Sequence, residues 1–173
     1  MITTLLIGLF ICIALSMLLF TGPVQAVEKA SKARQEEIER RGARVMPFSL
    51  ERTVHVFTKT KNGGIQQVIA KDESDTRQIA LIREHLSMIS KQFAQGNFSA
   101  PASIHGSDMP GLAGLEKAQP GQIRILYKEL PVGAQINYSS ASPELVDAIH
   151  RWFDAQLADH AGALPSLPEH HKQ

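Results

Sequence analysis

The stretch TVHVFTKTKNGGIQQVIAK, residues 53–71, predicts a β-hairpin and decides the fold. Its two candidate strands are residues 53–60 and 64–71, and Lys61-Asn62-Gly63 joins them. An Asn-Gly pair between two runs of strand-forming residues is a strong signal for a tight turn. The hairpin matters for the whole chain because a second unit of the same kind follows it.

A helix is predicted directly after this hairpin, over residues 76–95. Asp75 can cap its N-terminus, and Gln78 stands three residues on, as in a capping box. Gly96 is a suitable C-terminal stop. The apolar residues recur at steps of three and four, which predicts one buried face: Ile79, Ile82, Leu86, Ile89 and Phe93.

The second unit repeats the order strand, strand, helix. Strands are predicted at residues 122–129 and 134–139, with the turn at residues 130–133. Ser142 can cap the following helix, and Pro143 suits its first position. The apolar stripe of this helix consists of Val146, Ile149, Phe153 and Leu157.

Together the two units predict an α+β domain over residues 45–163. Each unit has an apolar sheet face and an apolar helix stripe, which are buried together when both helices pack on one face of a four-stranded, mostly antiparallel sheet. Residues 97–120 form a long Pro- and Gly-rich connection between the units. Residues 27–44 are predicted to be a charged helical spacer in solvent, and residues 164–173 a disordered tail.

Ahead of this domain, an apolar N-terminal helix is predicted to act as a signal peptide or membrane anchor, residues 1–26. Residues 5–20 are almost wholly apolar, and Val24 and Ala26 satisfy the small-residue rule for cleavage after residue 26. A retained anchor that crosses the membrane through residues 5–20 is the rival interpretation, and a buried core helix is a third. Both favoured interpretations place the domain in the periplasm, although positive charges after the apolar run oppose export: Lys29, Lys32 and Arg34.

Composition excludes several classes of function. The formal net charge of +1 and the absence of a basic stripe argue against a nucleic-acid partner. The one cysteine, Cys12, lies in the apolar leader. The rest of the chain therefore has no disulfide, thiolate nucleophile or cysteine-based zinc site.

Three segments resemble a group of short exported proteobacterial proteins. They are VHVFTK at residues 54–59, IHGSDMPG at residues 104–111 and HRWFDAQL at residues 150–157. The resemblance covers residues 45 to 162 and implies export. Some members of the group carry the label aspartate carbamoyltransferase. This sequence does not fit that activity. True carbamoyltransferases are about twice as long and have a Ser-Thr-Arg-Thr-Arg-type phosphate loop, which is absent here.

Histidine is the residue type that offers most chemistry, and copper is the leading ligand hypothesis. Imidazole and thioether groups suit copper and other transition ions. The sharpest pair is His105 and Met109, four residues apart in the long connection, and the other candidate ligands are His55 and His150. The structural alternative is that His105 bonds to the backbone while Met109 packs into the core.

Three hypotheses for function follow. The first is a non-enzymatic exported binding module with a transition ion as ligand. The second is an envelope interaction domain without a ligand, whose long connection docks an unknown protein partner. The third is a hydrolase that uses Ser107 beside His105, although no GxSxG elbow is present.

Overall fold

A computed structural model describes residues 29–160, and these residues form an α+β fold. Its sheet is antiparallel and four-stranded, with the strand order β1-β2-β4-β3. The α+β class and the antiparallel sheet are therefore confirmed. The strands are β1 Thr53–Thr60, β2 Gly63–Ala70, β3 Arg124–Leu130 and β4 Gly133–Ser139.

Five helices accompany the sheet within residues 29–160. Two are long, and each follows one of the hairpins. The long connection between the units contains two short helices. In chain order the helices are α1 Lys32–Val45, α2 Thr76–Ala94, α3 Ser99–His105, α4 Leu112–Glu116 and α5 Pro143–Asp159.

The first hairpin is tighter than the sequence predicts. Thr60 pairs with Gly63, so Lys61 and Asn62 alone form the turn and Gly63 belongs to β2. Gly63 has a φ of 147°, and a Cβ there would come within 2.1 Å of the carbonyl oxygen of Tyr138. Glycine is therefore required at this position by the close approach of β4.

Alternate residues of each strand point to the core. In β1 these are Thr53, His55 and Phe57, all buried. Helix α5 packs against this face. The ring of Phe153 lies 5.2 Å from that of Phe57 and directly over Gly64. Helix α2 also packs over β3 and β4.

The predicted N-terminal caps of α2 and α5 are both present, but the capping box predicted for α2 is not. Asp75 accepts a hydrogen bond from the amide of Gln78 at 3.1 Å, and Ser142 accepts one from the amide of Leu145 at 3.3 Å. The side chain of Gln78 does not return to Asp75. Its amide donates to the carbonyl of Ser49 at 2.8 Å and accepts from the Ser49 amide at 3.3 Å. Gln78 therefore ties the segment before β1 to α2.

The expectation of a solvated spacer over residues 27–44 is wrong for the part that the structure describes. Helix α1 is charged as predicted, but Ile38 is only 1% exposed and Gly42 is buried. Arg34 forms an ion pair with Asp159 at the end of α5. The buried side chain of Ile38, the ion pair of Arg34 and a hydrogen bond from Arg41 to the carbonyl of Ile104 dock this helix against the domain.

The predicted leader or anchor, residues 1–26, lies outside the described residues, as does the predicted tail, residues 164–173. Between residues 29 and 160, no helix combines the length and the apolar character that a membrane span requires.

Candidate functional site

Four histidines are buried in one region of the core. They are His55 in β1, His85 in α2, His105 at the end of α3 and His160 just after α5, and none is more than 8% exposed. We call these four residues the histidine cluster. Histidine is seldom buried in such numbers, because each ring nitrogen must find a partner or remain unsatisfied.

The rings of the cluster are in aromatic contact with one another. His160 stacks on His55 with 5.2 Å between ring centroids, and His105 meets His160 edge-on at the same separation. Phe48 connects the fourth ring, since it lies 6.0 Å from His55 and 5.5 Å from His85. The cluster therefore joins one strand and three helices that are far apart in sequence.

One carboxylate and one guanidinium anchor the cluster. The Nδ1 atom of His105 lies 2.7 Å from Oδ2 of Asp159. Arg34 donates to both oxygens of the same carboxylate, at 3.2 and 3.1 Å, and to the backbone carbonyl of His105 at 2.6 Å. The carboxylate accepts a hydrogen bond from Nδ1 and so fixes the orientation of the ring.

Burial sets the charge state of these groups. It lowers the pKa of His55 to about 4, with further contributions from His85 and His105. It lowers the pKa of His160 to about 3, and that of His85 is lowered as well. Burial alone would raise the pKa of Asp159, but the hydrogen bonds from His105 and Arg34 outweigh it and hold this pKa below its usual value. At neutral pH, His55, His85 and His160 are therefore uncharged.

A cavity of about 50 Å³ lies inside the cluster. Three of its lining residues carry a buried polar atom that has no hydrogen-bond partner: His55 Nε2, His85 Nδ1 and Trp152 Nε1. Within residues 29–160 only one other buried side-chain atom is in this state, Asp75 Oδ2, and it lies in an ion pair with Arg52. Three of the four unpartnered buried side-chain atoms in residues 29–160 thus belong to residues that line one cavity.

Comparisons with known proteins give no function for this site. No family model, curated protein or solved structure matches the chain. The site offers neutral imidazoles, an indole N–H and an apolar wall. Asp159 and His105 have the geometry of a carboxylate-oriented base, but no serine, threonine or cysteine lines either cavity that His105 touches within the described part of the chain. Ser107, the nucleophile of the hydrolase hypothesis, is exposed to solvent.

The structure brings together some of the predicted metal ligands and separates another. His55 and His105 both belong to the histidine cluster. Met109 is 5% exposed and packs in the core, and with His105 and Asp108 it lines a separate depression of about 280 Å³. His150 lies at the first hairpin, where its Nε2 is 3.0 Å from the carbonyl oxygen of Thr60.

No group of three or more His, Cys, Asp or Glu side chains stands in a metal-binding arrangement among residues 29–160. The four predicted ligands do not form one site, because His150 lies at the first hairpin and Met109 lines a depression separate from the cavity at His55.

Sequence reasoning missed His85 and His160 as members of the site, although a signal was present. His85 lies three residues after Ile82 and four before Ile89, so it falls on the buried stripe of α2. His160 follows Phe153 by seven residues, which continues the stripe of α5. These positions predict buried histidines, and a buried histidine needs a partner.

Proposed function

We propose that this chain is a small exported binding module whose ligand occupies the cavity in the histidine cluster. One observation carries the proposal: His55, His85 and Trp152, which line the same cavity, each have a buried polar atom without a hydrogen-bond partner. Each buried polar group without a partner costs about 1–3 kcal/mol. Such a concentration is tolerated at functional sites, where the bound ligand supplies the missing partners.

The size and charge of the cavity limit the ligand. A volume of about 50 Å³ accommodates an ion or a molecule of a few heavy atoms. No Asp, Glu, Lys or Arg side chain lines it. The imidazoles of His55 and His85 are neutral at neutral pH, so their lone pairs are free to bind a transition ion such as copper.

Export is the second part of the proposal. The uncharged, apolar residues 5–20 and the small residues at the cleavage position support it, as does the resemblance to short exported proteins. N-terminal sequencing of the natural protein after cell fractionation tests it. A chain that retains residue 1 and lies free in the cytosol would contradict export without bearing on the cavity.

The single tryptophan provides a direct test of ligand binding. Trp152 gives one indole N–H resonance in the NMR spectrum, and this residue lines the cavity with its N–H unpartnered. We expect the resonance to shift when the full-length chain is titrated with copper or with uncharged molecules of up to about four heavy atoms. A resonance that none of them moves would contradict the proposal.

A cavity-filling variant provides the control for this titration. Ala100 lines the cavity, so Ala100→Leu should fill it and abolish the shift. Ala113→Leu adds the same side chain at an exposed position of α4 and should leave the shift unchanged.

A further inference from the structure

We infer that the ligand of the cavity is copper(I), bound by His55 Nε2, His85 Nδ1 and the thioether of Met46. This inference rests on the proposed function and deepens it, since it names one ion, its oxidation state and its ligands. Met46 is the residue directly after α1, is partly buried and lines the same cavity as the two histidines.

The donor atoms match a soft ion. His55 and His85 each have a buried ring nitrogen without a hydrogen-bond partner, and a metal can bind there without displacing a protein contact. Thioether and imidazole ligands together select copper(I) among the first-row ions. Structural zinc sites use four His, Cys or carboxylate ligands, and residues 29–160 contain no such group.

The charge of the surroundings favours a monovalent ion over a divalent one. No carboxylate lines the cavity, so a divalent ion would be buried without a counter-charge. Asp159, which approaches the cluster, is already bound to His105 and Arg34. Trp152 supplies no ligand, because the indole N–H is a donor only.

The test is an anaerobic competition for copper(I) between the full-length chain and the chromophoric chelator bathocuproine disulfonate. Met46→Leu keeps the side-chain volume and removes the sulfur, so we expect copper(I) affinity to fall by about tenfold or more. Met88→Leu makes the same change at a methionine that is 47% exposed on α2 and should leave the affinity unchanged. Met109→Leu tests the separate depression that Met109 and His105 line. A loss of copper(I) affinity in Met109→Leu but not in Met46→Leu would overturn the assignment.

X-ray absorption of the copper-loaded wild-type chain gives a readout that does not depend on any variant. We expect a copper(I) edge with one sulfur and two imidazole scatterers, and a spectrum without sulfur would overturn the inference. If the indole resonance of Trp152 responds to small uncharged molecules while copper(I) does not bind, the inference fails and the proposed function stands. If it responds to neither, both fail.

Discussion

The carboxylate of Asp159 accepts hydrogen bonds from Arg34 and His105, while its side chain is only 10% exposed. Asp159→Asn would leave the guanidinium of Arg34 without its counter-charge. Breaking a buried ion pair costs about 3–5 kcal/mol, and the partial exposure of Arg34 reduces this to about 2 kcal/mol. We expect that loss in the free energy of unfolding, measured by urea denaturation at pH 7.

Asp147→Asn is the matched control for this substitution. Asp147 also pairs with an arginine, Arg151, at 3.0 Å, but its side chain is 64% exposed. Exposed pairs contribute less than about 1 kcal/mol. Equal losses in the two variants would show that Asp159 does not hold the cluster together.

At the scale of single elements, a substitution of Gln78 tests whether its side chain belongs to a capping box or connects α2 to Ser49. A capping box accepts Glu and Gln equally well at this position. The observed contact requires an amide, because Gln78 donates to the Ser49 carbonyl and accepts from the Ser49 amide. Gln78→Glu would place a carboxylate against that carbonyl, and we expect the free energy of unfolding to fall by about 2 kcal/mol.

Glu84→Gln is the control, because it exchanges a carboxylate and an amide on the solvent-exposed side of α2. Its effect should stay within about 0.5 kcal/mol. A neutral result for Gln78→Glu in the same denaturation series would restore the capping box that the sequence predicts.

Helix α1 provides a second test at this scale. Ile38 is 1% exposed, so Ile38→Ala should lower the free energy of unfolding by about 2–4 kcal/mol. The neighbouring exposed Glu39 offers the control, because Glu39→Ala should change it by less than about 0.5 kcal/mol. Equal and small effects in thermal denaturation would mean that α1 is the solvated spacer that the sequence suggests.

These elements show what sequence patterns can and cannot predict here. The two hairpins, α2, α5 and their caps follow from local signals: alternation, helical periodicity and capping residues. The docking of α1 does not, because it depends on Ile38 and on an ion pair between Arg34 and Asp159, 125 residues apart. The histidine cluster was missed for the same reason: each histidine can be placed on a buried stripe, but not beside the others.

At the scale of the whole molecule, the histidine cluster lies where α1, α2, α3, the end of α5 and the core face of β1 meet. His55 and His160 stack at its centre with their pKa values near 4 and 3. Folding therefore holds both rings in the neutral form. In the unfolded chain the same histidines take up protons at their ordinary pKa of about 6.5.

The sign of the resulting pH dependence follows from this difference. As the pH falls below about 6.5, the unfolded chain binds protons that the folded chain does not, so stability is lost. Each of the two histidines contributes at most about 1.4 kcal/mol per pH unit, and the two together lose about 2.4 kcal/mol between pH 6 and pH 5 because the unfolded rings are already partly protonated at pH 6. The pKa of His85 is lowered by burial as well, so His85 adds to this loss. Carboxylates, with an ordinary pKa of about 4, remain ionised in this window. Urea denaturation of the metal-free chain at several pH values measures the slope.

Two variants assign that slope to the cluster. His160→Asn removes one of the histidines with a lowered pKa and should reduce the slope by about 1.2 kcal/mol per pH unit between pH 6 and pH 5. His150→Asn removes a histidine at the first hairpin, half-buried and outside the cluster, and should leave it unchanged. A wild-type slope below about 1 kcal/mol per pH unit would mean that the buried rings take up protons without unfolding. The neutral lone pairs on which the binding site depends would then be missing at mildly acidic pH.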